Sequence, residues 1–126
     1  MRISISFKKG LNIISSNSGT AHFWAQRLSA IGVFFTGLWF VYSVLQMPGF
    51  EYYDALEFID TPFNSFMLIF LTLIMAYHSN LGIQVVVEDY VHAHKLKLVS
   101  LIISRLSHIL LVGVAIFAII KIRLGA

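Results

Sequence analysis

Three stretches of this chain run for the length of a membrane crossing with almost no charge, and they limit its fold more than any other feature. Leu28 to Phe50 contains no Asp, Glu, Lys or Arg, nor does Thr61 to Val87, and Leu98 to Ile120 is interrupted only by Arg105 and the ionisable His108. A helix rising 1.5 Å per residue needs about 20 mainly apolar residues to cross the hydrocarbon core of a bilayer. Each run is long enough. With 58% hydrophobic and 12% charged residues, the chain is too apolar for a soluble domain. Its 126 residues hold three crossings and short connections, so any catalytic head belongs to another chain. The expected fold is an all-α membrane protein with three transmembrane helices at about 25–46, 62–88 and 98–121. A polar arm over residues 1–24 precedes a three-helix membrane unit over 25–126.

The connections carry their own signals. Met47-Pro48-Gly49 ends the first span, because proline disfavours helix at the residue before it. Glu51, Asp54, Glu57 and Asp60 form an acidic connection with room for one helical turn at the interface, and Pro62 suits the first turn of the second span. Glu88, Asp89, His92, His94, Lys95 and Lys97 read as a compact polar loop before the third. The first 24 residues have no continuous apolar segment followed by a small-residue cleavage site, so no cleaved signal peptide is expected. Orientation follows from Lys and Arg near the membrane ends. The N-terminal side has six (Arg2, Lys8, Lys9, Arg27, Lys95, Lys97) and the far side two (Lys121, Arg123), which places the N-terminus on the cytoplasmic or matrix side. The same scatter along membrane edges argues against a nucleic-acid partner despite a net charge of +3. The chain has no cysteine, which excludes disulfides, thiolate iron–sulfur ligation and covalent haem attachment, so a redox centre here must be held by His or Met.

The second span holds one polar anomaly, His78. It sits nine residues from Val87, about 13 Å deep, where an ionisable side chain is costly without a partner. A neutral imidazole on a metal ion supplies one. At about 100° per residue, Gly82 lies about 40° from His78 and Asp89 about 20° from it, so the three share a helix face. Gly82 lacks the side chain that would obstruct a flat macrocycle along the helix. An interhelical hydrogen bond to Ser or Thr would satisfy His78 equally, and the residues alone leave both readings open.

Asp89 and Tyr90 stand about 16 Å along the helix from His78, at the membrane boundary on the N-terminal side. Quinone reduction takes up two electrons and two protons, so its site needs a donor that can be reprotonated from water, and a phenol beside a carboxylate meets that need. Each residue also has an ordinary role, Tyr in the aromatic belt and Asp at a helix end facing water. His108 lies at a depth close to that of His78, so a bis-histidine site within this chain is geometrically open. Arg105 reaches headgroups by snorkelling, and Arg27, at the mouth of the first span, does so too or pairs with an anionic ligand group. His22, His92 and His94 are expected to be solvated loop histidines, with His92 placed to relay protons.

Two blocks bring the chain close to a known family. One is Ser18-Gly19-Thr20-Ala21-His22-Phe23-Trp24-Ala25-Gln26-Arg27-Leu28-Ser29-Ala30, and the other is His78-x3-Gly82-x6-Asp89-Tyr90-Val91. In both, and in length and number of spans, the chain resembles the smaller hydrophobic membrane-anchor subunit of succinate dehydrogenase, of the type with one b haem. The resemblance implies that His78 is an axial ligand of haem b, and so the ligand of its iron. It also implies that Tyr90 hydrogen-bonds a ubiquinone carbonyl, that Asp89 orients Tyr90 or assists proton uptake, and that Arg27 lies near the haem propionates or the quinone. The second axial histidine would come from a companion cytochrome b anchor subunit, which demotes His108. An iron–sulfur subunit and a flavoprotein subunit would be the further partners, beside membrane lipids. The chain itself would carry no catalytic residue of succinate oxidation, serving electron transfer from the tricarboxylic acid cycle to the respiratory chain in a bacterial inner membrane, with the mitochondrial inner membrane as the alternative. A fumarate reductase anchor using menaquinone and a nonredox membrane assembly subunit are the other readings.

Overall fold

The computed structural model describes residues 18–125. It contains α1 (Ser18–Leu45), α2 (Tyr52–Asp60), α3 (Pro62–Tyr90) and α4 (His94–Arg123), and no strand among the described residues. α1, α3 and α4 are the three helices long and apolar enough to cross a membrane, as expected from the charge-free runs. With 28, 29 and 30 residues they reach about 42–45 Å, well beyond a hydrocarbon core of about 30 Å. Their ends therefore project past the apolar runs. α1 begins at Ser18, so residues 18–24 of the polar arm form its first turns, while Arg2, Lys8 and Lys9 lie outside the described residues. The polar loop expected between the last two spans shrinks to Val91, His92 and Ala93. The backbone N–H of Val91 closes on the Val87 carbonyl at 3.0 Å, and Lys97 Nζ donates to the Glu88 carbonyl at 3.1 Å, so the end of α3 is capped without a longer loop.

α3 is the middle of the three long helices. α1 packs on one side of it and α4 on the other, and among the described residues α1 and α4 do not meet. The result is a row, not a closed bundle, and little of it is buried. Leu71, Leu81 and Ile119 are the buried apolar side chains, matched by three buried hydroxyl residues, Ser29, Thr36 and Ser65. Lipid is as apolar as leucine, so helices in a membrane associate through close packing and hydrogen bonds instead of hydrophobic burial. Gly32 shows the first of these: a Cβ there would stand 3.0 Å from Ile74 Cγ1, so the missing side chain lets α1 lie against α3.

The acidic connection forms a full helix, α2, longer than the single turn expected. Its start depends on Asp54, whose Oδ2 accepts the Glu51 N–H at 3.0 Å. A Cβ at Gly49 would collide with that same carboxylate, which fixes glycine in the preceding turn. Its end is closed by side chains. Thr61 Oγ1 donates to the Glu57 carbonyl at 3.2 Å, Asn64 Nδ2 to that of Phe58 at 3.0 Å, Ser65 Oγ to that of Ile59, and Arg123 Nη1 to that of Asp60. The last four carbonyls of a helix have no intrahelical partner, and here each receives one from the start of α3 or the end of α4. Arg123 also pairs with the Asp60 carboxylate at 3.1 Å. Trp39 of α1 lies between Phe58, stacked at 6.4 Å, and Phe63, edge-on at 6.1 Å, so all four helices are tied together at the far side.

Ser65 is 6% exposed, and its removal leaves a carbonyl unsatisfied in apolar surroundings. Ser65→Ala is expected to destabilise the purified complex by about 1–3 kcal/mol in thermal melting. Thr61→Ala, at an exposed position, should stay within about 0.5 kcal/mol.

Candidate functional site

His78 projects from α3 toward α1, half-buried. Its Nδ1 lies 2.9 Å from Ser29 Oγ, and that hydroxyl lies 3.0 Å from the Gln26 carbonyl one turn back on α1. The polar partner required by depth is therefore a serine, which the sequence reading left open and did not identify. His78 Nε2 makes no hydrogen bond among the described residues, on a side chain that is half-buried. Ser29 recurs on the face of α1 that carries Gln26 and His22, spaced at three and four residues. Gln26 approaches Gly82, where an added Cβ would meet its Nε2 at 3.6 Å, an ordinary contact. Gly82 is thus not demanded by the packing of α1 on α3, in contrast to Gly32.

Ser79, the next residue, points about 100° away and serves the other neighbour. Its hydroxyl lies 3.1 Å from His108 Nε2 on α4, and His108 Nδ1 lies 2.7 Å from the Ser104 carbonyl. A carbonyl only accepts, so Nδ1 carries the proton and Nε2 accepts from Ser79. Both nitrogens of His108 are spent inside the chain. His78 and His108 pair with different serines, at positions about 100° apart around α3, so the structure does not assemble a bis-histidine site or a direct histidine–histidine bond between them.

The other candidates sit apart from His78. Asp89 and Tyr90 end α3, both exposed, Tyr90 by 78%. His92 Nδ1 lies 3.2 Å from the Tyr90 carbonyl, which keeps that imidazole beside the end of the helix. Arg27 is exposed on α1, about 200° around from Ser29, with its guanidinium 5.0 Å from the Phe23 ring. Within this chain it does not reach His78. His22 differs from the solvated loop histidine expected of it. It lies within α1 and is half-buried, with Nε2 enclosed and unpartnered, as is Gln26 Oε1. The missed signal was the helical spacing of His22, Gln26 and Ser29, hidden because α1 starts about two turns before the expected start of the span at residue 25. No group of three or more His, Cys, Asp or Glu side chains gathers as a metal cluster among the described residues.

These features define a multi-pass helical membrane subunit whose spans are joined by polar pairs and whose central helix carries a half-buried histidine. The chain belongs to the family of succinate dehydrogenase/fumarate reductase transmembrane subunits, which it matches over residues 2–122. It is 33% identical over 105 residues to the succinate dehydrogenase hydrophobic membrane anchor subunit of Rickettsia typhi, covering 83% of this chain and 84% of that one. The protein of the same description from Rickettsia bellii is 32% identical over 111 residues, 88% and 89% of the two chains. The succinate dehydrogenase membrane anchor subunit of Reclinomonas americana is 33% identical over 101 residues, 78% and 84% of the two. No solved structure gives a significant match. Membership of this family makes the chain a multi-pass inner-membrane anchor subunit, one part of a larger complex.

A double-mutant cycle on Ser79→Ala and His108→Ala checks the α3–α4 pair. A coupling energy of about 0.6 kcal/mol is expected in unfolding of the purified complex, with a ceiling near ~1.7 kcal/mol for such bonds in a membrane.

Proposed function

We propose that this subunit contributes an axial ligand to haem b and part of a ubiquinone site in the transfer of electrons from succinate to ubiquinone. The observation that carries the reading is the contrast between the two membrane-embedded histidines. His108 has both nitrogens hydrogen-bonded within the chain, whereas half-buried His78 bonds, among the described residues, only through Nδ1 to Ser29. The residues fit a haem. The imidazole of His78 would hold its iron from this chain, and a cluster of several protein ligands would not be required. Gly82, one turn from His78, is compatible with the same reading, because among the described residues an added Cβ would meet only Gln26 Nε2 at an ordinary 3.6 Å. The second axial histidine belongs to a companion cytochrome b anchor subunit. Arg27 faces away from α3, where it is placed to meet a propionate or a quinone oxygen only against a surface supplied by another chain. The bound haem supplies a one-electron site in the membrane.

Quinone chemistry falls to the end of α3. Tyr90, exposed at the boundary, donates its phenolic proton in a hydrogen bond to a quinone carbonyl, and Asp89 stands in contact with water, from which protons can be replaced. The iron–sulfur subunit delivers the electrons on this side and the flavoprotein subunit oxidises succinate. The six Lys and Arg residues on the N-terminal side favour placing that side at the cytoplasmic or matrix face. The direction of catalysis follows the relatives, whose descriptions name succinate dehydrogenase.

A reduced-minus-oxidised optical spectrum of the complex with its partner subunits tests the ligand. The b-type signal should be lost in His78→Ala and retained in His108→Ala; its persistence in His78→Ala would exclude His78 as the ligand. For the quinone site, Tyr90→Phe should lower succinate:quinone reductase activity at least about tenfold while succinate oxidation by an artificial acceptor is unchanged. Equal loss of both activities would point to misassembly instead.

A further inference from the structure

We infer that Ser29 is a positioning residue for the haem ligand: its hydroxyl accepts a hydrogen bond from His78 Nδ1, fixes the tautomer of the imidazole and leaves the Nε2 lone pair for iron. The inference rests on the reading of His78 as an axial ligand and deepens it. The local bookkeeping of protons carries it. Ser29 Oγ has one proton and two lone pairs, and it contacts two groups, the Gln26 carbonyl at 3.0 Å and His78 Nδ1 at 2.9 Å. The carbonyl can only accept, so the hydroxyl proton goes to it. Ser29 then meets Nδ1 with a lone pair, and Nδ1 must be the nitrogen that carries hydrogen.

The consequence for iron is direct. An imidazole binds metal through its unprotonated nitrogen, and which nitrogen that is depends on the hydrogen bond made by the other. Here the unprotonated nitrogen is Nε2, the one that makes no hydrogen bond among the described residues. Ser29 is 3% exposed, enclosed between α1 and α3, so water has little access to replace it. The hydrogen bond also fixes the ring plane, because the acceptor is held on a different helix from the ligand. A donated Nδ1–H bond makes the ligand more basic, which favours the ferric state. Position 29 would thus tune the redox centre from α1 without touching the haem.

The test compares Ser29→Ala, Ser29→Thr and His78→Ala in the assembled complex. Three quantities are read: haem content per flavin, the haem midpoint potential by redox titration, and the low-temperature paramagnetic resonance signal of the ferric haem. Ser29→Ala is expected to move the potential in the positive direction and to shift or broaden the ferric signal. Ser29→Thr, which keeps an acceptor oxygen, should return both toward the parent values. Loss of haem in Ser29→Ala with retention in Ser29→Thr supports the same assignment. A Ser29→Ala complex with the parent's potential and ferric signal overturns it, as does a Ser29→Thr complex indistinguishable from Ser29→Ala. If haem survives His78→Ala unchanged, the ligand reading itself fails. If His78→Ala loses haem while Ser29→Ala is silent, the role of Ser29 alone is refuted.

Discussion

Between helices in a bilayer there is neither water to satisfy polar groups nor a hydrophobic effect to press apolar ones together, and the arrangement of this chain follows from both conditions. The contacts that place the helices are hydrogen bonds and close approaches. Ser29 with His78 fixes α1 on α3, Ser79 with His108 fixes α4 on α3, and Gly32 lets α1 come near Ile74. Half of the buried side chains named above are hydroxyl residues, the inverse of a soluble core. The large apolar residues point outward instead, with Phe34, Phe35, Leu110 and Leu111 each 60% exposed or more. Those faces are the ones left for lipid and for the other subunits of the complex.

The two ends of the row solve different problems. At the far side, the carboxyl end of α2 is closed by four side chains from α3 and α4, and Trp39 brings α1 into the same knot. At the N-terminal side, α3 and α4 are joined by three residues, and among the described residues α1 is held to α3 by one polar pair about three turns from its start. The candidate site residues gather at that end. His78, Gly82, Asp89 and Tyr90 all belong to α3, the helix in contact with both neighbours, so these candidates share one backbone.

The three spans were legible because lipid imposes a requirement that can be read residue by residue: about 20 positions without charge. His78 stood out for the same reason, as a polar side chain in a segment that should have none. Less could be read where the outcome depends on how helices rotate against each other. Nothing in the spacing of Ser29 and His78 marks them as partners, since they are 49 residues apart and meet only because α1 packs on α3. The assignment of His22 to a loop failed because the helix does not stop where hydrocarbon stops; backbone hydrogen bonds carry it two turns further and turn His22 inward. The end of α2 was hidden too, because its caps are drawn from Thr61, Asn64, Ser65 and Arg123, the last 63 residues distant from Asp60.

The aromatic knot at Trp39 makes α1 a lever with its pivot near the far side. Ser29 lies ten residues along that lever, about 15 Å from the pivot, so a tilt of about 4° would carry its hydroxyl through about 1 Å. That is enough to convert a 2.9 Å hydrogen bond into no bond at all. An angular change too small to disturb the lipid-facing surface of α1 is therefore large on the scale that matters to His78. A push on the outer face of α1 that tilted the helix about Trp39 would therefore be felt at that imidazole, with a displacement that grows with the distance from Trp39.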